Sequence, residues 1–107
     1  MGLISHQSWA NLLALREPLL PSAARDLIRL AVAHAKVAFA SHAREELAKD
    51  GITIDRAIEV LRAGVVEPAE FEHGSWRYRV RAATIYVVVA FRTEDHVVVV
   101  TAWRRKR

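Results

Sequence analysis

The chain has 107 residues, of which 52% are apolar and 26% charged, a composition that fits one folded domain with a modest core and excludes a disordered chain. It has no cysteine, which excludes disulfides, thiolate metal sites and a cysteine nucleophile. The net charge of +4 is unevenly spread: residues 76–107 carry eight Lys or Arg against two Asp or Glu, a field that favours a polyanion or an acidic partner.

The opening stretch, MGLISHQSWANLLALREPLL, has no basic n-region, and its apolar runs are too short for a signal peptide or a membrane span. His6 stands where an N-myristoylation signal requires Ser or Thr. The expectation is a soluble, cytoplasmic protein with no membrane partner. Residues 8–17 read as a short amphipathic segment, which Pro18 and Pro21 separate from the next helix. Ser22 reads as the N-cap of that helix, AARDLIRLAVAHAKVA, with Leu27, Leu30, Ala31 and Val37 as its apolar stripe.

A second helix is predicted from Ser41, its N-cap, to the stop at Gly51, with Leu47 facing inward. A third runs from the cap Thr53 to Gly64, with Ile54, Ala57, Ile58 and Leu61 at helical spacing. The period then changes to two. VVEPAEF reads as a short edge strand interrupted by Pro68, SWRYRVRA alternates cleanly, and TIYVVVAFR and HVVVVTAW are rich in β-branched residues around a TED turn. The fold class this implies is α+β: N-terminal helices packed on one face of a three- to four-stranded antiparallel sheet.

Alternation puts Trp76, Tyr78 and Val80 on one side of their strand and Arg77, Arg79 and Arg81 on the other; the first set closes the core, or, if the strand lies at the sheet edge, its aromatics face RNA instead. Three guanidiniums in a row repel one another unless something anionic offsets them. Ile85, Val87, Val89 and Phe91 belong against the helices, and Tyr86 would share the open face with the arginines if the register allows it. Such a face suits RNA: guanidiniums meet phosphates, and Tyr86, Trp76 or Trp103 can stack bases. Metal-independent cleavage there would need a general base, cations for the charge developing on phosphorus, and an acid. His42, at a helix start where amide donors attract anions, and His73, in a loop beside the arginine strand, are the histidines best placed for it. Arg92 and Arg104 extend the cationic set. Nothing in the spacing resembles a metal site, a Gly-rich phosphate loop or a Gly-x-Ser-x-Gly elbow, and no cofactor is expected.

The string Ser41-His42-Ala43, then Gly51-Ile52-Thr53, then a meander closing in Val99-Val100-Thr101-x-Trp103, resembles a family of small bacterial domains of unknown function placed with the barnase/colicin/RelE-like RNase toxins. The layout is also similar to MqsR-type mRNA interferases, with Trp76 and Tyr78 in the basic strand. The resemblance covers about residues 37–104 and leaves 1–36 as a helical extension of a toxin domain at 37–107. It implies a RelE-like fold and the toxin of a toxin–antitoxin pair, an endoribonuclease cutting mRNA, free or on ribosomes, and neutralised by an antitoxin. Carried over, His42 is the family histidine, Arg77 or Arg79 the phosphate-binding basic position and Thr101 the terminal-strand hydroxyl, while Tyr86 is an acid or stacking partner by position only. The candidate catalytic set is then His42, Arg79, Tyr86 and Thr101, and the residues read as RNA-binding are Arg77, Arg81, His73, Trp76, Arg92 and Arg104. Glu46 and Asp50 depart from the pattern, standing where that family often has basic residues. The alternatives are a non-catalytic module of the same fold, binding RNA or an acidic protein, and an accessory domain that dimerises through its N-terminal helix.

Overall fold

The computed structural model describes residues 15–106; most of the amphipathic segment predicted at 8–17, with His6, lies outside them. The described residues form three helices and six strands, in the order α1 (Pro21–Ala33), β1 (Val37–Phe39), α2 (Ser41–Lys49), α3 (Ile54–Ala63), β2 (Val65–Val66), β3 (Glu70–Glu72), β4 (Ser75–Ala82), β5 (Ile85–Thr93) and β6 (His96–Arg104). The architecture is α+β, as predicted, with the helices on one face of an open sheet.

The sheet is larger and more mixed than expected. Its order is β1-β6-β5-β4-β2, with β3 paired to β4 alone, and β1 runs parallel to β6. A purely antiparallel sheet of three or four strands is therefore corrected to six strands in a mixed sheet. Strand β1 is only three residues long, so its sequence, AKVAFA, reads equally well as the tail of the preceding helix. Pro68 divides the expected edge strand into β2 and β3 because it cannot donate to a ladder.

The helix boundaries also move. Leu20 and Ala40, not Ser22 and Ser41, occupy the N-cap positions of α1 and α2, and neither makes a side-chain cap. Thr53 caps α3 as expected, its hydroxyl accepting the Arg56 amide at 3.0 Å. The buried stripe of α1 is Ala24, Ile28 and Ala31, while Leu30 is exposed. The small side chains of Ala24 and Ala31 let α1 lie close to α3, and Ile28 joins the same core as Leu47, Leu61, Val80, Val87 and Val99. Gly64 ends α3 where a Cβ would come within 2.6 Å of the Val60 carbonyl oxygen and 2.8 Å of that of Arg81, so a side chain there would push α3 off β4. Among the described residues, no helix is long and apolar enough to cross a membrane.

Tyr78 is the largest fully buried side chain, packed edge-on against Phe91 at 5.2 Å between ring centroids. Its hydroxyl donates to Glu17 Oε2 and accepts from the Leu19 amide, both at 3.0 Å, which fastens the chain before α1 to the sheet. Burial pushes the phenol up to about 12, so it stays a proton donor at every physiological pH. Burial also raises the Glu17 carboxyl, with the Tyr78 hydrogen bond pulling it partly back. A raised folded-state value means that Glu17 contributes most when protonated, below its unfolded value, and that this is lost as pH rises through the raised value. Glu17→Gln, which still accepts from Tyr78, should therefore match wild-type stability near pH 4 and exceed it at pH 7, by less than about 1 kcal/mol because the group is partly solvated. Urea unfolding at both pH values checks this; a variant less stable at pH 7 contradicts it.

Candidate functional site

The helices cover one side of the sheet, and the other side carries no helix among the described residues. Register decides what stands on it. Arg81 pairs with Tyr86, and Tyr86 with Trp103, in one cross-strand row; Arg79, Val88 and Thr101 form the next. Alternation along β4 adds Arg77 to the same side.

Thr101 and Trp103 reach this face through a β-bulge. Simple alternation along β6 groups them with Val97 and Val99, which are fully buried in the core. Val88 pairs with Thr101 but Val89 pairs with Val99, so Val100 is the extra residue and the faces exchange after it. Val97, Val99 and Ala102 then point inward while Thr101 and Trp103 point outward. The indole of Trp103 lies flat against the Tyr86 ring, with centroids 5.1 Å apart and planes within 7°.

The arginine row has its counter-charges within the chain. Glu67 Oε1 is 2.9 Å from Arg79 Nε and its Oε2 is 3.1 Å from Arg81 Nε, so one carboxylate bridges two guanidiniums. Glu70 Oε2 approaches a terminal nitrogen of Arg79 at 3.5 Å, and Arg77 Nε donates to Ser75 Oγ at 2.9 Å. Sequence reasoning missed Glu67 and Glu70. Their signal was present, since strands placed beside a triple-arginine strand are where neutralising acids belong. A concavity of about 100 Å³ opens among Glu70, Glu72, Arg77, Arg79, Val88, Thr101 and Trp103. It is walled by an aromatic ring and offers both hydrogen-bond donors and acceptors.

The remaining predicted residues stand elsewhere. His42 is exposed in the first turn of α2, whose Ala43 and Leu47 belong to the helix-side core, so it lies in the layer opposite the arginines. Its neighbouring strand β1 is three strand spacings from β4, roughly 14 Å. The fold thus brings Arg79, Tyr86 and Thr101 to one face and leaves His42 apart from them. Trp76 packs against the core and meets Phe71 edge-on at 5.2 Å. His73 sits exposed in the β3–β4 turn at φ 50°, and Arg92 is exposed near the far end of β5, about 20 Å along the strand from Tyr86. Arg104 is fixed to the end of α2: its amide donates to Asp50 Oδ2 at 2.8 Å and its Nε to the Asp50 carbonyl oxygen at 3.4 Å. Asp50 therefore joins α2 to β6, and Glu46 lies 3.9 Å from Lys49.

A second polar cluster lies at the β5–β6 turn. Asp95 accepts from Lys36 Nζ at 3.3 Å and from Thr93 Oγ1 at 3.2 Å, with His34 Nδ1 at 3.9 Å. The Lys36 hydrogen bond, above all, holds the Asp95 carboxyl below its ordinary value. The cluster pins the hairpin tip to the end of α1, an exposed structural tie.

Residues 39–104 match the protein family described as "Domain of unknown function (DUF4258)". No curated protein and no solved structure matches the chain. The matched segment runs from the end of β1 to the last residue of β6 and so contains Arg77, Arg79, Arg81, Tyr86, Thr101 and Trp103 together with Glu67 and Glu70. With well over half its length inside that match, the chain belongs to the DUF4258 family.

Proposed function

We propose that the helix-free face of the sheet binds single-stranded RNA. The single observation that carries this reading is the Tyr86–Trp103 stack, two parallel rings in a cross-strand row with Arg81 on a face that no helix covers among the described residues. Base stacking on aromatic side chains tolerates any sequence, so a stacked pair of rings on a basic protein suits an unpaired strand better than a duplex with its bases turned inward. Thr101 and the carboxylates of Glu67 and Glu70 add hydrogen-bonding groups for sugar and base edges.

Cleavage is the second reading, and the bridging carboxylate favours it. Glu67 stands between Arg79 and Arg81, which pairs a proton acceptor with two cations on one surface. In this reading Glu67 takes the 2′-hydroxyl proton, the two guanidiniums stabilise the charge developing on the phosphate, and Tyr86 protonates the leaving oxygen. His42 has no part in it. The protein would then be a metal-independent endoribonuclease toxin acting on mRNA in the cytoplasm, with an antitoxin covering the same face.

One experiment separates the readings. The protein is incubated with a fluorescein-labelled single-stranded RNA and with the matching duplex in EDTA, and both binding and RNA length are followed. The first reading expects single-strand binding with intact RNA. Shortened RNA with cyclic phosphate ends, abolished by Glu67→Gln, supports the second. Neither binding nor cleavage overturns both.

A further inference from the structure

The residues that look most like phosphate ligands in the sequence are the least available for it. Arg79 is held by Glu67 and Glu70, Arg81 by Glu67, and Arg77 by Ser75. A phosphate arriving there must displace a carboxylate 2.9 to 3.1 Å from its guanidinium partner, exchanging one ion pair for another with little net gain. Counted together, the three arginines and Glu67, Glu70 and Glu72 carry no net charge.

Next to the Tyr86–Trp103 stack, cations without a carboxylate partner among the described residues stand at the end of β6. Arg104, Arg105 and Lys106 are all exposed, and among the described residues none is within ion-pair distance of a carboxylate. They surround an open cavity of about 480 Å³ with Lys49, Asp50 and Thr84. Two contacts hold this end in place. Asp50 binds the Arg104 amide at 2.8 Å, and the Arg105 amide donates to the Thr84 carbonyl oxygen at 2.6 Å, which extends the β5–β6 ladder by one pair. Alternation from Trp103 then carries Arg105 to the side of the sheet that holds the Tyr86–Trp103 stack.

We infer that the phosphates of bound RNA are held by Arg105 and Lys106 at the end of β6, while Arg79 and Arg81, closed onto Glu67 and Glu70, shape the surface beneath the bases. The inference rests on the RNA reading of the open face and gives that surface a direction: the backbone crosses the sheet end and the bases turn back onto Trp103 and Tyr86. Arg105 and Lys106 belong to no site proposed from the sequence. What distinguishes them is that the ladder continues through the Arg105 amide.

The test is the salt dependence of binding, because each released counterion marks a phosphate contact. Fluorescence anisotropy with fluorescein-labelled decauridylate is measured from 25 to 250 mM KCl for wild type, for the double variant Arg105→Ala/Lys106→Ala and for Arg79→Ala, with a thermal melt of each. The double variant should bind about tenfold or more weaker at low salt, and its plot of log K against log salt should be shallower by about 1.4, or about 0.7 for each lost single-strand phosphate contact. Arg79→Ala should change that slope by less than half as much. The melts should show the double variant unchanged, since the structural contact at Arg105 is made by its backbone. Wild-type binding with an unaltered slope in the double variant, or with the slope lost instead in Arg79→Ala, overturns this inference alone. A wild-type protein that does not bind decauridylate overturns the RNA reading together with it.

Discussion

Trp103→Ala should weaken single-stranded RNA binding by about 1–3 kcal/mol, roughly 5- to 150-fold, because one base loses its stacking platform. The indole is only partly covered, and its main aromatic partner is Tyr86, against which it lies within 7°. Losing that pair should cost stability as well, about 0.5–1.5 kcal/mol, which leaves the domain folded. Tyr86→Ala should act in the same direction. The two changes together should cost less than their sum, since each removes the stack the other needs. Trp76→Ala is the control. That ring packs against the core and Phe71, so its loss should lower the melting temperature and leave the affinity of the folded protein alone. Binding isotherms and melts for the four variants separate these outcomes. Equal loss of affinity in Trp76→Ala and Trp103→Ala would contradict the assignment of faces.

The largest effect on stability is expected at Tyr78. Tyr78→Ala empties the largest fully buried side-chain volume and should cost about 3–5 kcal/mol. Against the 5–15 kcal/mol typical of such domains, that leaves the protein marginal or unfolded. Tyr78→Phe keeps the ring and its edge-on contact with Phe91 but removes the hydroxyl that joins Glu17 and the Leu19 amide. Its cost should be about 1–2 kcal/mol, set by leaving the Leu19 amide without its acceptor. Chemical denaturation measures both. A Phe variant as destabilised as the Ala variant would mean that the hydrogen bonds, not the packing, hold α1 to the sheet.

Much of this architecture can be read in the chain, because two periods carry it. The 3.6-residue pattern marks α2 and α3, and the strict alternation of SWRYRVRA separates Tyr78 and Val80 from the three arginines. What periodicity does not carry is register. β1 was invisible because three apolar residues beside a helix have no period of their own, and its parallel pairing with β6 is a tertiary choice. The bulge at Val100 is equally silent within a run of four valines, yet it sends Thr101 and Trp103 outward while Val97 and Val99 stay buried. The separation of His42 from the arginines has the same origin: a motif fixes a residue at a helix start, and only the packing of that helix decides which side of the sheet it shares. The charge total pointed to the C-terminal third, but it could not show that Glu67 and Glu70 close onto the arginines of β4.

The most direct test of RNA binding on the helix-free face is a nitrogen–proton correlation spectrum of the labelled protein titrated with unlabelled decauridylate. The expected result is shifts that track the RNA concentration at Arg79 to Arg81, Tyr86 and Thr101 to Arg105, with the amides of α2 around His42 unmoved. Shifts confined to the helices, or a spectrum that does not change at saturating RNA, would contradict it.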